Sequence, residues 1–329
     1  MIDNVQNNEK TNEIIYLDNF NQAFEKTKEK LTEALKSTPK HIRPYTSHLA
    51  KAQGKLIRAA SLLACAVNGE GRINEEAVYA AVGVELLHLA TLVHDDVIDD
   101  AGTRRGISTL NKQYDRKTAV ICGDYLLCLA LEQGKNLKQR DIELNNYMTQ
   151  ICLGELRQHE NNFNFMLSPI KYFRIIKGKT AALFEASFFA GAVLSDEDKK
   201  NYHIYSKMGN YLGMIFQLID DCIDFEVDEG VAKKPVHSDF EQGVITMPMI
   251  HALSHDEKLA EMRKKGELNS KAIIDSVRRY GSIFYTKGIA KRYYNKALKY
   301  LSLIGISEEK ANRIKAIFDK AYNGLTGKK

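Results

Sequence analysis

The sequence predicts an all-α protein: one large helical bundle of about ten helices around a central cavity. Three observations predict it. Apolar residues recur at helical spacing almost without interruption. Period-2 alternation of β-branched residues is nearly absent. Breakers are scarce, with five prolines and 21 thinly spread glycines in 329 residues. In chain order the predicted helices cover 16–36, 45–67, 75–98, 114–134, 143–160, 171–194, 199–226, 243–254, 270–301 and 308–324. The first two are amphipathic, and the second closes at the turn-rich stretch GEGRIN. The third is apolar on most faces and runs to DAGTRRGIS. LSPI follows the fifth, and the sixth, FRIIKGKTAALFEASFFAGA, is again apolar nearly all round. The third and sixth therefore belong at the centre. VDEGVAKKPVHSD ends the seventh, GELNS precedes the ninth and LIGIS precedes the last. No repeat and no long linker divides the chain, so residues 1–329 read as a single domain.

Composition narrows the class. Hydrophobic residues make up 44% and charged ones 27%, which excludes a disordered chain. No stretch approaches the roughly 18 uninterrupted apolar residues of a membrane span. The N-terminus, MIDNVQNNEKTNEIIYLDN, is polar and mixed in charge, unlike a secretory or transit signal. Five cysteines (Cys65, Cys122, Cys128, Cys152, Cys222) stand singly in apolar surroundings, as reduced core thiols of a cytoplasmic protein would. The net charge of +5 is too small to imply nucleic acid. From Ser276 to Tyr300, however, there are seven basic residues and no acid. That is a solvated basic face, or at most a peripheral contact with an anionic membrane or substrate.

Two places break the rules of a stability-driven sequence. ELLHLATLVHDDVIDDAGTRRG ends an apolar helix in Asp95, Asp96, Asp99 and Asp100. GMIFQLIDDCIDFEVDEG ends another in Asp220, Asp221 and Asp224. The helix dipole is negative there and disfavours acids. Asp95/Asp99 and Asp220/Asp224 are also like-charge pairs at i,i+4. Two unit charges about 4 Å apart repel by about 4 kcal/mol at an effective dielectric near 20. One such cluster could be a solvated helix end; two of the same D-D-x-x-D form call for a counter-charge. Carboxylates without cysteine or paired histidine suit Mg²⁺, which usually shares its coordination with water and phosphate oxygens. A carboxylate-bridged di-iron bundle would need two E-x-x-H pairs, and only Glu85-x-x-His88 is present.

Cations answer the acids. Arg104 and Arg105 follow the first cluster, and Lys233 and Lys234 the second. Gly54-Lys55-Leu56-Ile57-Arg58 sets two cations three apart beside a glycine. Lys179-Thr180 interrupts an apolar helix, where an unpaired ammonium would be costly to bury. Together they suggest a site for two diphosphates, one on metal and one held by Lys and Arg alone.

These motifs resemble those of the trans-polyprenyl diphosphate synthases, the polyprenyl synthetase family, from about residue 45 to 260. Asp95-Asp96-Val-Ile-Asp99 with Arg104-Arg105-Gly106 is similar to the family's first aspartate-rich motif, and Phe216-Gln217-Leu-Ile-Asp220-Asp221-Cys-Ile-Asp224 to its second. A terpene cyclase of the same fold would usually pair one such motif with an N-x-x-x-S/T-x-x-x-E-type motif, and none is visible. The resemblance implies the isoprenoid synthase fold and head-to-tail condensation of isopentenyl diphosphate onto an allylic diphosphate such as farnesyl diphosphate. It implies two or three Mg²⁺ ions bridged by the allylic diphosphate and held by Asp95, Asp99, Asp220 and Asp224, with Asp96 and Asp221 helping directly or through water. Arg104, Lys179, Thr180, Gln217 and Lys234 would flank that diphosphate, and Lys55, Arg58, His88 and Arg105 would hold isopentenyl diphosphate. The departing pyrophosphate would leave an allylic carbocation and then serve as base. His94 stays a core histidine.

Short-chain members typically place an aromatic residue five before the first aspartate. Here Ala90 stands there, beside Thr91 and Leu87, so the resemblance implies an open tunnel and a product of about C30 to C50 for a quinone side chain. A farnesyl or geranylgeranyl diphosphate synthase is the nearest alternative, and a structural subunit of a heteromeric synthase another. Retained, mutually repelling acids argue against the latter. The chain departs from the family pattern at Gln53, Leu56, Ala59, His237 and Val244, losing one Arg and one Lys. Substitution at the Val244 position also occurs in medium- and long-chain synthases of the family, some of which work with a second, non-identical subunit, so the resemblance implies either a homodimer or a heterodimer.

Overall fold

Helix follows helix along the computed structural model, which describes residues 14–52, 54–138, 144–226 and 238–324. They are α1 (Phe20–Lys36), α2 (Arg43–Leu49), α3 (Ile57–Ala66), α4 (Glu76–Ile98), α5 (Leu110–Gln113), α6 (Arg116–Gln133), α7 (Leu144–Glu160), α8 (Pro169–Ile176), α9 (Ala182–Val193), α10 (Tyr202–Glu226), α11 (Ser238–Glu241), α12 (Met247–His255), α13 (Glu257–Lys265), α14 (Ser270–Arg279), α15 (Ser282–Leu301) and α16 (Glu308–Tyr322). Among the described residues the strands are only two residues long: β1 (Tyr16–Leu17) pairs antiparallel with β2 (Ile73–Asn74), and β3 (Thr103–Arg104) with β4 (Ile107–Ser108). The protein is all-α, as its periodicity predicts.

Side-chain caps fix several helix starts. Asn19, Asp115, Ser168 and Asn269 each accept a backbone N–H from the first turn of α1, α6, α8 and α14. Where the structure differs from the predicted spans, local chemistry gives the reason. The span 45–67 divides into α2 and α3, with Leu56 in the left-handed region at the start of α3. The span 270–301 divides at Gly281, whose φ of 60° ends one helix and opens the next. The turn-rich breaks also hold short helices of their own, α5, α11 and α13.

Two buried clusters make the core, and α3 and α9 form the wall between them. Leu62, Leu63, Ala182, Leu183 and Ala186 face α1, α4 and α6. Ala64, Cys65, Phe184 and Phe188 face α10, α12, α15 and α16. Each fully buried Leu or Phe contributes about 1.5–3 kcal/mol. Helix α4 is long and apolar enough to cross a bilayer by length and composition, but most of it is buried among its neighbours. Cys65, Cys122 and Cys222 are buried thiols, whereas Cys128 and Cys152 are exposed, contrary to the core position expected for all five. They stand on helices α6 and α7, whose exposed sides carry apolar residues, so apolar neighbours in sequence did not mean burial.

The sixth predicted span is continuous from α8 to α9 but contains one π-helical segment, Lys177–Ala181. Such segments widen a helix by one residue and are frequent at functional sites. Helix α7 lies directly on this one. A Cβ at Gly154 would come within 2.2 Å of the Lys179 amide nitrogen, so only glycine permits the contact.

Candidate active site

Lys179 leaves the π-helical segment towards the C-terminal end of α4. Its Nζ donates to Glu155 Oε1 at 2.9 Å, and Asp95 and Asp99 are close enough to act on its charge. Burial works against the ammonium, but Asp95, Glu155 and Asp99 outweigh it and hold its pKa above the ordinary value. Burial pushes the Asp95 carboxyl up to about 7; Lys179 and Arg104 pull it back, while Glu155 and Asp99 push it further. Asp99 is raised for the same first reason, against Lys179. Three acids around one lysine leave the group short of positive charge.

The adjacent Thr180 turns the other way. Its Oγ1 donates to Gln217 Oε1 at 2.7 Å, and Gln217 Nε2 donates to Asp221 Oδ1 at 2.9 Å. Asp221 Oδ2 also accepts from the Tyr172 hydroxyl at 2.5 Å and the Met247 N–H at 3.3 Å. One short segment therefore joins the two acidic helix ends, and a cavity lined by Tyr172, Lys179, Thr180, Gln217, Asp221 and Thr246 opens beside it. Asp220 is exposed and Asp224 half-buried on the same end of α10. Asp221 is 3% exposed and both its oxygens are engaged, so it braces the α10 end beside Asp220 and Asp224. Its carboxyl rises to about 6 by burial, opposed by Tyr172 and Gln217.

Asp96 is likewise turned inward. Its Oδ1 accepts Arg104 Nε at 2.7 Å, so it orients the arginine. Arg104 and Arg105 are carried by the β3–β4 hairpin, a two-residue turn in which Arg105 (φ 51°) and Gly106 (φ 81°) both take the left-handed conformation. That pair is the type I′ pattern, and glycine supplies its second position without strain. The Arg105 guanidinium lies over Gly54, in the space that a side chain there would fill.

A basic pocket lies beside it, lined by Gly54, Leu56, Glu85, His88, Leu89 and Arg105. Arg58 is buried at the start of α3, its guanidinium 4.6 Å from the Phe184 ring centre. Burial lowers its pKa to about 10, against Glu85, so it stays cationic at neutral pH. Its buried Nε finds no acceptor among the described residues. Burial, then Arg58, Arg105 and Arg104, hold His88 well below its ordinary pKa, as a neutral imidazole. Lys55 is exposed at the rim. Leu87 and Ala90 are buried in the core beneath, and Thr91 donates its hydroxyl to the His88 carbonyl. His94, half-buried, pairs with Asp124 away from the pocket. Lys233, Lys234, His237 and Gln53 lie outside the described residues.

Sequence reasoning gave no role in the site to Glu155, Glu85 or Tyr172. Glu85 carried a signal: a carboxylate inside AVGVELLHLA must have a partner. It accepts the Ala59 N–H at 2.9 Å and faces Arg58. Among the described residues no three acids, histidines or cysteines converge tightly enough to hold a metal by themselves. The donor set, hard carboxylates around a charge deficit, still fits a divalent cation that shares its coordination with phosphate.

A family model for polyprenyl synthetase matches residues 39–280. The chain is 34% identical over 263 residues to heptaprenyl diphosphate synthase component 2 of Bacillus subtilis (strain 168), covering 78% of this chain and 75% of that protein. It is 30% identical over 316 residues to geranylgeranyl diphosphate synthase of Saccharolobus solfataricus, covering 89% and 93%. Among solved structures, heptaprenyl diphosphate synthase from Staphylococcus aureus superposes with a TM-score of 0.85 at 32% identity, over 94% of this chain and 99% of that one. The polyprenyl synthase of Caulobacter crescentus CB15, solved with calcium and isoprenyl diphosphate, gives 0.83 at 26% identity, over 92% and 94%. With fold, motifs and comparisons in agreement, the chain belongs to the polyprenyl synthetase family and is a prenyltransferase.

Proposed function

We propose that the chain condenses isopentenyl diphosphate head-to-tail onto an allylic diphosphate, such as farnesyl diphosphate, to make an all-trans product of about C30 to C50 that serves as a quinone side chain. The observation that carries this is the meeting of two acidic helix ends at one lysine-bearing segment, with a separate basic pocket alongside. Asp95, Asp99, Asp220 and Asp224 would hold two or three Mg²⁺ ions bridged by the allylic diphosphate. When bound, magnesium supplies Lewis-acid stabilisation of the departing pyrophosphate. Asp96 holds Arg104 by Nε, which aims its terminal amines at that diphosphate. Lys179 exchanges Glu155 for a phosphate oxygen, and Thr180 and Gln217 line the approach; Lys234 is assigned there by sequence alone. Lys55, Arg58, His88 and Arg105 bind isopentenyl diphosphate, with neutral His88 donating a hydrogen bond and Arg58 a buried charge.

The purified chain, given Mg²⁺, farnesyl diphosphate and labelled isopentenyl diphosphate, is expected to form long-chain product on its own. No turnover would favour the structural-subunit reading, and a C20 product the short-chain one supported by the geranylgeranyl relative. A second copy is the proposed partner, covering the exposed Val120, Ile121 and Leu131 of α6 and Leu153 and Leu156 of α7. The relative called component 2 supports a non-identical subunit as the second reading.

Ala90 is wholly buried below the first acidic end. Ala90→Phe is expected to shorten the product to about C15–C20, at a stability cost of about 1–3 kcal/mol from overpacking. Chromatography of the products checks it; an unchanged length from a folded variant would remove Ala90 from the tunnel.

A further inference from the structure

Helix α15 buries one side completely, with Thr286, Ile289, Ala290, Tyr294, Ala297 and Leu301 in the core. Its opposite side is wet and of uniform sign. Phe284 is 85% exposed, more than any other large apolar side chain among the described residues. Tyr285, Lys291, Arg292, Lys296 and Lys299 share the exposed side with it. At 100° per residue, positions 284, 291, 292 and 299 fall within roughly one quadrant, with 285 and 296 at its edge. Of the acids on adjoining elements, Glu226 holds Lys287, while Asp319 accepts from Tyr294 and Lys315 and also acts on Lys291, whose ammonium lies over the Tyr294 and Tyr322 rings. Asp220 and Asp275 are exposed on the neighbouring α10 and α14. Cys222 donates to the Ile283 carbonyl at 3.9 Å, so the Phe284 end of α15 stands beside the α10 end that carries the second aspartate cluster.

We infer that this face of α15 docks on an anionic lipid bilayer, with Phe284 and Tyr285 entering the headgroup layer and the four cations along the helix meeting acidic headgroups. Aromatic residues favour that layer, and an apolar tip followed by a cationic stripe is how a helix lies on a membrane surface. The charge argues against a second copy as the occupant, because like stripes would repel; the apolar exposed residues of α6 and α7 suit that role better. The docking holds whatever chain length the enzyme makes, and it brings the α10 end of the bundle to the membrane.

Cosedimentation of the purified full chain with lipid vesicles tests this. Binding to vesicles containing about a third phosphatidylglycerol is expected to be at least tenfold tighter than to pure phosphatidylcholine, and to be lost in about 0.5 M salt. Arg292→Gln/Lys296→Gln/Lys299→Gln should weaken anionic binding at least about tenfold, and Phe284→Ser severalfold. Both should keep wild-type prenyl transfer on soluble substrates, which reports folding. Equal affinity for both lipids, or a triple variant that binds as wild type, overturns the inference. So does a triple variant that changes oligomeric mass in sedimentation velocity, since the face would then belong to a second copy.

Discussion

Asp95→Asn is expected to lower kcat/KM by about a thousandfold or more, a loss of about 4 kcal/mol of transition-state stabilisation, while the fold persists. The exchange is nearly isosteric, so it removes a charge without opening a cavity. The charge sits where burial, Glu155 and Asp99 already oppose it and Lys179 supports it. Free protein therefore has no stability to lose there: a carboxyl whose pKa rises on folding makes the native state bind more protons than the unfolded chain between the two values, and its ionisation weakens the fold as pH rises through that window. Thermal unfolding of Asp95→Asn near neutral pH should match or exceed that of the wild type. Steady-state transfer of labelled isopentenyl diphosphate reads the other half. A variant within tenfold of wild type would mean that Asp95 holds no metal in the reaction.

The second large effect is on stability. Glu85 is 6% exposed, accepts the Ala59 N–H and faces Arg58, itself only 8% exposed. Glu85→Ala leaves a helix-start amide without its acceptor and the buried Arg58 guanidinium without the nearby negative charge that offsets it. Stranding a buried charge by removing the acid that offsets it costs about 3–5 kcal/mol, a large part of a typical folding free energy. Urea denaturation gives the value directly. The double variant Glu85→Ala/Arg58→Met should recover much of the loss, because no charge is left stranded, yet isopentenyl diphosphate affinity should stay low. If Glu85→Ala alone changes stability by less than about 1 kcal/mol, the pair is solvated and Glu85 does not organise the basic pocket.

These two residues also mark how far the sequence could be read. Asp95 announces itself: an acid repeated at i,i+4 behind an apolar helix is a local contradiction, visible without coordinates. Glu85 showed only as half of an E-x-x-H pair, and its partner Arg58 lies 27 positions earlier on another helix. Tyr172 gave no sign at all, since a tyrosine in YFRII reads as core until its hydroxyl is seen on Asp221. The two halves of D-D also look alike in sequence. In the structure Asp95 faces Lys179 while Asp96 turns to Arg104, and Asp220 is exposed while Asp221 is enclosed.

What the sequence determined by itself was helical class, the two acidic ends and the set of cations. Periodicity and charge repulsion act over a turn or two of chain and leave their mark in neighbouring letters. Only the tertiary structure decided which acid faces the opening, which one braces a helix, and that a π-helical turn resting on Gly154 brings Lys179 to one acidic end and Thr180 to the other. Those outcomes depend on distances between segments far apart in the chain, set by how helices pack, and no local pattern encodes them.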